Sequence, residues 1–135
     1  MKKLFYLFIA ATILISCSSD EDTDFDLIIG KWQQESILLN GMEQTTDCEK
    51  KSTITFLANG TTNTISFYED GNGCISETDN STWVNVGNST YKVGDGVDDE
   101  EVKLNFTKNN TAFSATTSET FDGETFTIVI TFKKI

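Results

Sequence analysis

The fold is decided by the C-terminal segment Thr125-Phe126-Thr127-Ile128-Val129-Ile130-Thr131-Phe132-Lys133. Every second residue from Phe126 to Phe132 is a large apolar side chain, and threonine, valine or lysine stands at the positions between or beyond them. Such alternation is typical of a β-strand that buries one face, because successive side chains of a strand point to opposite sides. Threonine, valine, isoleucine and phenylalanine also favour strands. The segment therefore predicts a β-strand with one apolar face.

The same pattern recurs upstream, separated by turn-forming pairs such as Asn-Gly and Asp-Gly. These pairs favour the positive backbone dihedrals of tight hairpins, which join neighbouring antiparallel strands. No window shows a sustained helical period. We predict about eight strands, at residues 30–39, 52–57, 61–68, 81–86, 89–94, 102–107, 111–120 and 124–134.

A meander of strands with one apolar face must cover that face. Closure into a barrel covers it and also removes both sheet edges. The sequence contains no proline, as expected for strands that need every amide donor. We predict an all-β fold, a small up-and-down antiparallel β-barrel of about eight strands, with a β-sandwich as the alternative.

The N-terminus has a different composition. Lys2 and Lys3 precede an apolar run, 4–15, that is too short to span a bilayer as a permanent helix. The run ends in Leu14-Ile15-Ser16-Cys17, which resembles the lipobox of bacterial lipoproteins. The resemblance implies that residues 1–16 are a signal peptide and that Cys17 becomes the acylated first residue, anchored in a membrane. The alternative is an ordinary signal peptide followed by an incidental cysteine.

Residues 17–26 are rich in Asp and Glu and carry too little apolar surface to fold. We predict an acylated cysteine with a flexible acidic tether over 17–26 and a barrel domain over 27–135. An acidic stretch after the acylated cysteine also resembles the surface-export signal of one large group of Gram-negative bacteria. We expect an outer-membrane lipoprotein that is exposed on the cell surface, with a periplasm-facing orientation as the alternative.

Charge and missing residue types exclude several functions. The formal net charge is −11, and removal of residues 1–16 leaves 8 basic and 21 acidic side chains, a formal −13. Nucleic acid is excluded as a partner because its phosphates require a basic face. The chain lacks histidine, the usual general base and commonest metal ligand. We expect no enzyme, cofactor or metal site. A Ca²⁺ site or catalysis in the acidic segment 95–101 is the least favoured alternative.

With Cys17 acylated, Cys48 and Cys74 remain. An even pair of cysteines in an exported protein predicts a disulfide, and two free thiols are the alternative.

Gly30-Lys31-Trp32 opens the first predicted strand and resembles the Gly-x-Trp signature of the lipocalin superfamily, in which the tryptophan packs across the base of the barrel. Further elements follow in the order found in lipocalin-like domains of bacterial lipoproteins. They are Cys48, the strand Lys51 to Phe56, Asn59-Gly60, Cys74 and Thr82-Trp83. The resemblance spans almost all of residues 28–135. Departures from classical lipocalins are the missing C-terminal helix and the absence of arginine.

An eight-stranded barrel is just wide enough to be filled by its own side chains or to hold one small ligand. If a cavity exists, large apolar side chains are expected to form its walls. These are Trp32, Phe56, Phe67, Leu104, Phe106, Phe113, Phe126, Ile128 and Ile130. A neutral apolar ligand suits such walls, because no arginine is present to pair with a carboxylate. The facing of Trp83 stays open, because it alternates with Val84 and Val86.

We therefore predict a lipid-anchored, non-catalytic lipocalin-like monomer that binds a small hydrophobic ligand in its barrel. The alternative is a surface interaction module that contacts a protein or glycan through its loops and has a filled, ligand-free barrel. An enclosed apolar void of roughly 300 Å³ or more in the barrel favours ligand binding. A filled core with an exposed apolar patch favours the alternative.

Overall fold

The computed structural model describes residues 25–135. The predicted signal peptide, Cys17 and residues 18–24 of the predicted tether lie outside this range. The described part consists of nine strands and a single 3₁₀ turn at Glu49–Lys51. The strands are β1 Gly30–Leu39, β2 Met42–Glu43, β3 Thr53–Phe56, β4 Thr61–Glu69, β5 Cys74–Gly87, β6 Thr90–Gly94, β7 Glu100–Thr107, β8 Ala112–Phe121 and β9 Glu124–Lys134. Between residues 25 and 135, the structure contains no helix that is long and apolar enough to cross a bilayer.

All strands belong to one antiparallel sheet of order β2-β1-β3-β4-β5-β6-β7-β8-β9, and β1 also pairs with β9. This last pairing, from Trp32 opposite Lys134 to Leu39 opposite Ile128, closes β1 and β3–β9 into a barrel. The short β2 extends β1 as a hairpin. The predicted all-β barrel is confirmed, and the sandwich does not form.

Each of the eight predicted strands is present, and the largest difference is in β5. That strand begins at Cys74 rather than at residue 81, because residues 74–81 pair with β4 along their whole length. Polar residues occupy most of this stretch, so no apolar alternation marked it as a strand.

The turns divide between the two ends of the barrel. Those at residues 57–60, 88–89 and 108–111 lie at one end, which we call the base, and those at 40–41, 70–73, 95–99 and 122–123 lie at the other, which we call the mouth. Asn40-Gly41 and Asp122-Gly123 adopt positive φ angles at both residues, as their sequence predicts for tight hairpins.

Trp32 lies across the base and is fully buried. Its indole N–H donates to the carbonyl oxygen of Ile28 at 2.6 Å, and its ring meets that of Phe113 edge-on, with centroids 4.7 Å apart. The ammonium of Lys134 lies 5.1 Å from the indole centroid, a cation–π distance. Gly30 leaves room for this lysine, since a Cβ there would lie 2.7 Å from Lys134 Cε.

The predicted disulfide between Cys48 and Cys74 is confirmed, with the two Cα atoms 5.6 Å apart. It ties the start of the 3₁₀ turn to the first residue of β5. This cross-link holds the segment that leads into β3 against the projecting β4–β5 hairpin.

Replacing Cys48 and Cys74 together by serine is expected to lower the free energy of unfolding by about 3 kcal/mol, because the unfolded chain regains the entropy that the cross-link removed. The loss follows from the sequence separation of 26 residues between the cysteines. Urea denaturation followed by fluorescence of Trp32 and Trp83 measures it. The unmutated protein in dithiothreitol is the control and should show a similar loss. Equal stability with and without the bond would contradict the prediction.

Candidate functional site

The barrel holds an apolar cavity of about 240 Å³ between the aromatic base and the mouth. The residues that line it are Ile28, Ile54, Phe56, Tyr91, Val93, Glu100, Val102, Leu104, Phe113, Ala115 and Phe132. Glu100, at the mouth end of β7, is exposed and lies at the opening. The cavity is partly open, and its volume is somewhat below the roughly 300 Å³ expected of a ligand cavity, but the barrel is not filled.

The size of the inward-facing side chains determines where this cavity forms. At the base, the rings of Trp32, Phe106 and Phe113 contact one another, with centroids 4.7 to 6.3 Å apart. Nearer the mouth, the same faces of β7 and β8 carry Val102 and Ala115. Because these side chains are smaller, the width set by eight strands is no longer filled.

A cleft adjoins the cavity where β7 and β8 separate. The two strands pair only between Leu104–Thr107 and Ala112–Ala115 and diverge towards the mouth. The cleft has a volume of about 490 Å³ and shares Glu100, Val102 and Ala115 with the cavity. The cavity can therefore be approached from the side of the barrel.

Most of the residues predicted to form cavity walls lie in or next to the cavity. Phe56, Leu104 and Phe113 line it, and Ile128 and Ile130 line the adjoining cleft. Trp32 and Phe106 lie beneath, in the aromatic core of the base.

Two predicted wall residues lie elsewhere. On β4 the inward positions are Thr62 and Thr64, so Phe67 lies on the outer face. There the hydroxyl oxygen of Ser52 accepts a hydrogen bond from the Phe67 backbone N–H at 2.9 Å. The prediction for Phe67 was wrong because it took the apolar positions of β4 as the inward ones. Phe126 faces Glu119 near the tip of the β8–β9 hairpin, beyond the cavity.

Several lining residues were missed, although a signal existed for most of them. Val102 and Phe132 alternate in step with the predicted Leu104 and Ile130, and could have been found by extending that alternation. Ile28 precedes β1 and had no strand pattern to mark it.

Trp83 faces the interior of the barrel, a direction that the alternation of residues in its strand did not determine. It is 8% exposed, whereas Val84 and Val86 are 57% and 45% exposed on the outer face. Its indole N–H donates to the carbonyl oxygen of Leu57 at 2.9 Å.

Asp26, placed by sequence at the end of the tether, is held against the base. One carboxylate oxygen accepts from the Tyr91 hydroxyl at 2.7 Å and from the Ile28 N–H at 3.2 Å. The other accepts from the Asn85 amide at 2.6 Å. Burial is the main reason that the pKa of Tyr91 lies well above its usual range, and the Asp26 carboxylate raises this pKa further. The chain therefore enters the barrel at the base.

The side-chain amide nitrogen of Gln34 is a buried polar atom on the inner face of β1. Gln34 lies opposite Phe132, which lines the cavity, and within residues 25–135 its amide nitrogen has no hydrogen-bond partner. An unsatisfied buried donor costs about 1–3 kcal/mol. It is a neutral donor in the barrel interior.

Carboxylates predominate in the hairpins at the mouth, and Lys50 is the lysine that lies near one of them, Glu43. The hairpin segments at the mouth, 40–43, 69–74, 94–101 and 118–125, contain eleven carboxylates and no lysine. We call these carboxylates the acidic rim. They are Glu43, Glu69, Asp70, Asp95, Asp98, Asp99, Glu100, Glu101, Glu119, Asp122 and Glu124. Lys31, Lys108, Lys133 and Lys134 lie at the base.

The acidic segment 95–101 forms a hydrogen-bonded turn. The Asp95 carboxylate accepts from the backbone N–H groups of Asp98 and Val97 at 3.1 and 2.9 Å, and these bonds lower the pKa of Asp95. Asp99 accepts from Gly96 N–H at 2.7 Å. Within the described range of 25–135, no group of three or more His, Cys, Asp or Glu side chains is placed to hold a metal ion.

Comparison with known proteins gives one family match. The family model described as a lipocalin-like domain matches residues 28–128. Among solved structures, the possum milk whey lipocalin trichosurin with bound 4-ethylphenol is 13% identical, with a TM-score of 0.44 over 77% of this chain and 73% of that one. The siderocalin Ex-FABP, described as acting through dual ligand specificities, is 15% identical, with a TM-score of 0.44 over 81% and 71%. No curated protein matches this sequence.

Replacing Tyr91 by phenylalanine is expected to lower the free energy of unfolding at neutral pH by about 1–2 kcal/mol, since it removes a partly buried hydrogen bond to a carboxylate. The raised pKa means that the folded protein keeps a proton that the unfolded chain releases above about pH 10. The stability from this bond is therefore complete below that pH and is lost as the pH rises further.

Urea denaturation of both proteins at neutral pH and at about pH 11 measures this difference. The gap between them should shrink at the higher pH. Tyr68→Phe is the matched control, because its hydroxyl bonds Glu77 at the exposed surface and a smaller loss is expected. A gap that is unchanged at high pH would contradict the assignment.

Proposed function

The chain belongs to the lipocalin-like domain family, and from this premise we propose that it is a lipid-anchored, non-catalytic protein that binds one small hydrophobic molecule inside its barrel. Barrels of this fold typically bind such ligands. The observation that carries the proposal is the apolar cavity of about 240 Å³ above the Trp32 base. A concave apolar site with few polar groups is the usual form of a small-molecule site.

The cavity volume limits the size of the ligand. An apolar cavity of about 150 Å³ accepts benzene, so one of about 240 Å³ accepts on the order of ten non-hydrogen atoms. At about 0.6 kcal/mol per atom, such a ligand binds with a Kd on the order of tens of micromolar. The site suits a compact one-ring molecule with a short substituent rather than a long acyl chain.

The polar groups of the lining support binding rather than catalysis. Tyr91 and Glu100 are its titratable residues. The Tyr91 hydroxyl donates to Asp26 and its pKa is raised, so it stays protonated near neutral pH and is a poor general base. Glu100 stands without a histidine partner, because the sequence contains none.

The resemblance of residues 14–17 to a lipobox supports the proposed anchor, and the entry of the chain at the base is compatible with it. Residues 17–24 can span at most about 28 Å when extended. The base, bound by Asp26, then faces the outer membrane, while the mouth faces away from it and outside the cell. The charge distribution suits this orientation, because anionic headgroups attract the lysines of the base and repel the acidic rim.

A second function, contact of the mouth with another protein or a glycan, is favoured by a separate observation. Each of the four mouth hairpins presents one exposed large apolar side chain. These are Met42, Ile75, Val97 and Phe121. Exposed apolar residues surrounded by charge are common at interaction surfaces.

Filling the cavity tests the ligand proposal. We expect phenylpropanol, which has ten non-hydrogen atoms, to bind the unmutated barrel with a Kd of tens of micromolar in calorimetric titration. Ala115→Phe should weaken binding at least about tenfold, because the new ring occupies the volume of the ligand. Ser114→Phe, which adds the same ring on the outer face of β8, is the control and should bind normally. Undiminished binding to the Ala115→Phe protein would exclude the cavity as the site.

Acylation is tested by replacing Cys17 with serine in a Gram-negative host. The unmutated chain is expected to incorporate radiolabelled palmitate and to partition into the membrane fraction, because its acyl chains act as a permanent anchor. Cys17→Ser should abolish both properties. The Cys48→Ser/Cys74→Ser protein is the control and should keep the label. Membrane partition without Cys17 would refute the anchor.

A further inference from the structure

The cavity lining contains an acidic side chain and no basic side chain. Glu100 lies on the same face of β7 as Val102 and Leu104, and all three line the cavity. Of the eleven lining residues in the described chain, Glu100 is the one carboxylate, and none is a lysine. An apolar molecule inside the barrel therefore has a carboxylate beside it and no cation.

The hydrogen-bond donors of the nearby aromatic residues are already used within the protein. The Tyr91 hydroxyl donates to Asp26, and the indole N–H groups of Trp32 and Trp83 donate to backbone carbonyl oxygens. The free amide of Gln34 is uncharged. A carboxylate ligand would lose its hydration beside Glu100 without a cation to compensate, which is unfavourable.

The cleft that leads to the cavity also carries more acidic than basic side chains. The adjoining cleft contains Glu101 and Glu119 in addition to Glu100, against a single lysine, Lys103. The acidic rim surrounds the mouth through which the cavity opens. Carboxylates grouped around a cleft raise the local concentration of cations and repel anions.

We propose that this cavity selects small apolar amines, with the hydrocarbon body in the barrel and the ammonium group beside Glu100 at the opening. The proposal rests on the proposed function, because it requires that the barrel bind a ligand at all. It names the chemical class of that ligand as cationic and apolar, in preference to neutral and against anionic molecules of the same size. The ammonium group stays close to solvent at the exposed Glu100 and need not lose all of its hydration.

Three probes with one hydrocarbon body test the proposal: phenylpropylamine, phenylpropanol and phenylpropanoate. Near neutral pH and at low salt, calorimetric titration of the full-length protein should show the amine binding about tenfold more tightly than the alcohol, and the carboxylate more weakly than both. The preference for the amine should shrink at about 0.5 M salt, because the charges are then screened.

Glu100→Gln should reduce the affinity for the amine to that for the alcohol, and a far-ultraviolet circular dichroism spectrum that matches the spectrum of the unmutated protein shows that the barrel is folded. Glu124→Gln, which removes one rim charge away from the cavity, should retain the preference. Binding of the alcohol with no preference for the amine would overturn this inference and leave the proposed function standing. If the carboxylate binds most tightly of the three, this inference is likewise overturned and the proposed function stands. Binding of none of the three would overturn both.

Discussion

The pairing of β1 with β9 is the constraint on which the remaining structure depends. It joins the two ends of a meander, so that every inward position from Trp32 to Phe132 faces the same enclosed interior. The number of strands then fixes the width of that interior. Side chains decide only how much of it is filled. Without this closure the apolar faces would lie on an open sheet with two exposed edges.

The base and the cavity follow from the order of side-chain sizes along the closed strands. Large rings lie where β1 begins and β9 ends, and residues outside the sheet complete the seal. Ile28 is fully buried there, and Asp26 ties the preceding chain to Tyr91 and Asn85. The segment that leads towards the proposed anchor is thus part of the barrel floor. Chain entry and the opening of the proposed ligand site are therefore kept at opposite ends.

Local patterns in the sequence predicted eight of the nine strands, the barrel and the disulfide, but neither β2 nor the first half of β5. Alternation in 125–133 and its repeats marks strands, and the positive φ angles expected at Asn40-Gly41 and Asp122-Gly123 are present. Pairing of Cys48 with Cys74 was predicted because these two cysteines remain once Cys17 is assigned to the anchor. The strands and turns depend on residues that are close in sequence. The disulfide depends on a choice among few possible cysteine pairs.

The details of the site depend on register, which local patterns do not fix. Phe67 was assigned inward because it is apolar, but the pairing of β3 with β4 places Thr62 and Thr64 inside. In the sequence Glu100 belongs to the acidic segment 95–101 and shows no apolar pattern, although it continues the inward face of β7. The contact of Asp26 with Tyr91 joins positions 65 residues apart. Such features arise from the three-dimensional pairing, in which a shift of one residue exchanges the two faces of a strand.

The two ends of the barrel also differ in how firmly they are held, and this difference suits ligand exchange. At the base, the aromatic rings, the Lys134 contact and the Asp26 hydrogen bonds all act on neighbouring strands. Towards the mouth, residues 75–81 pair with β4 alone beyond the cross-linked Cys74, and β7 separates from β8 beyond Leu104. Regions with fewer packed contacts open at the lowest free energy cost. Repulsion among the carboxylates of the acidic rim lowers that cost further, because strands that separate there also move like charges apart. A ligand can therefore enter and leave through the mouth and the cleft while the Trp32 base stays intact.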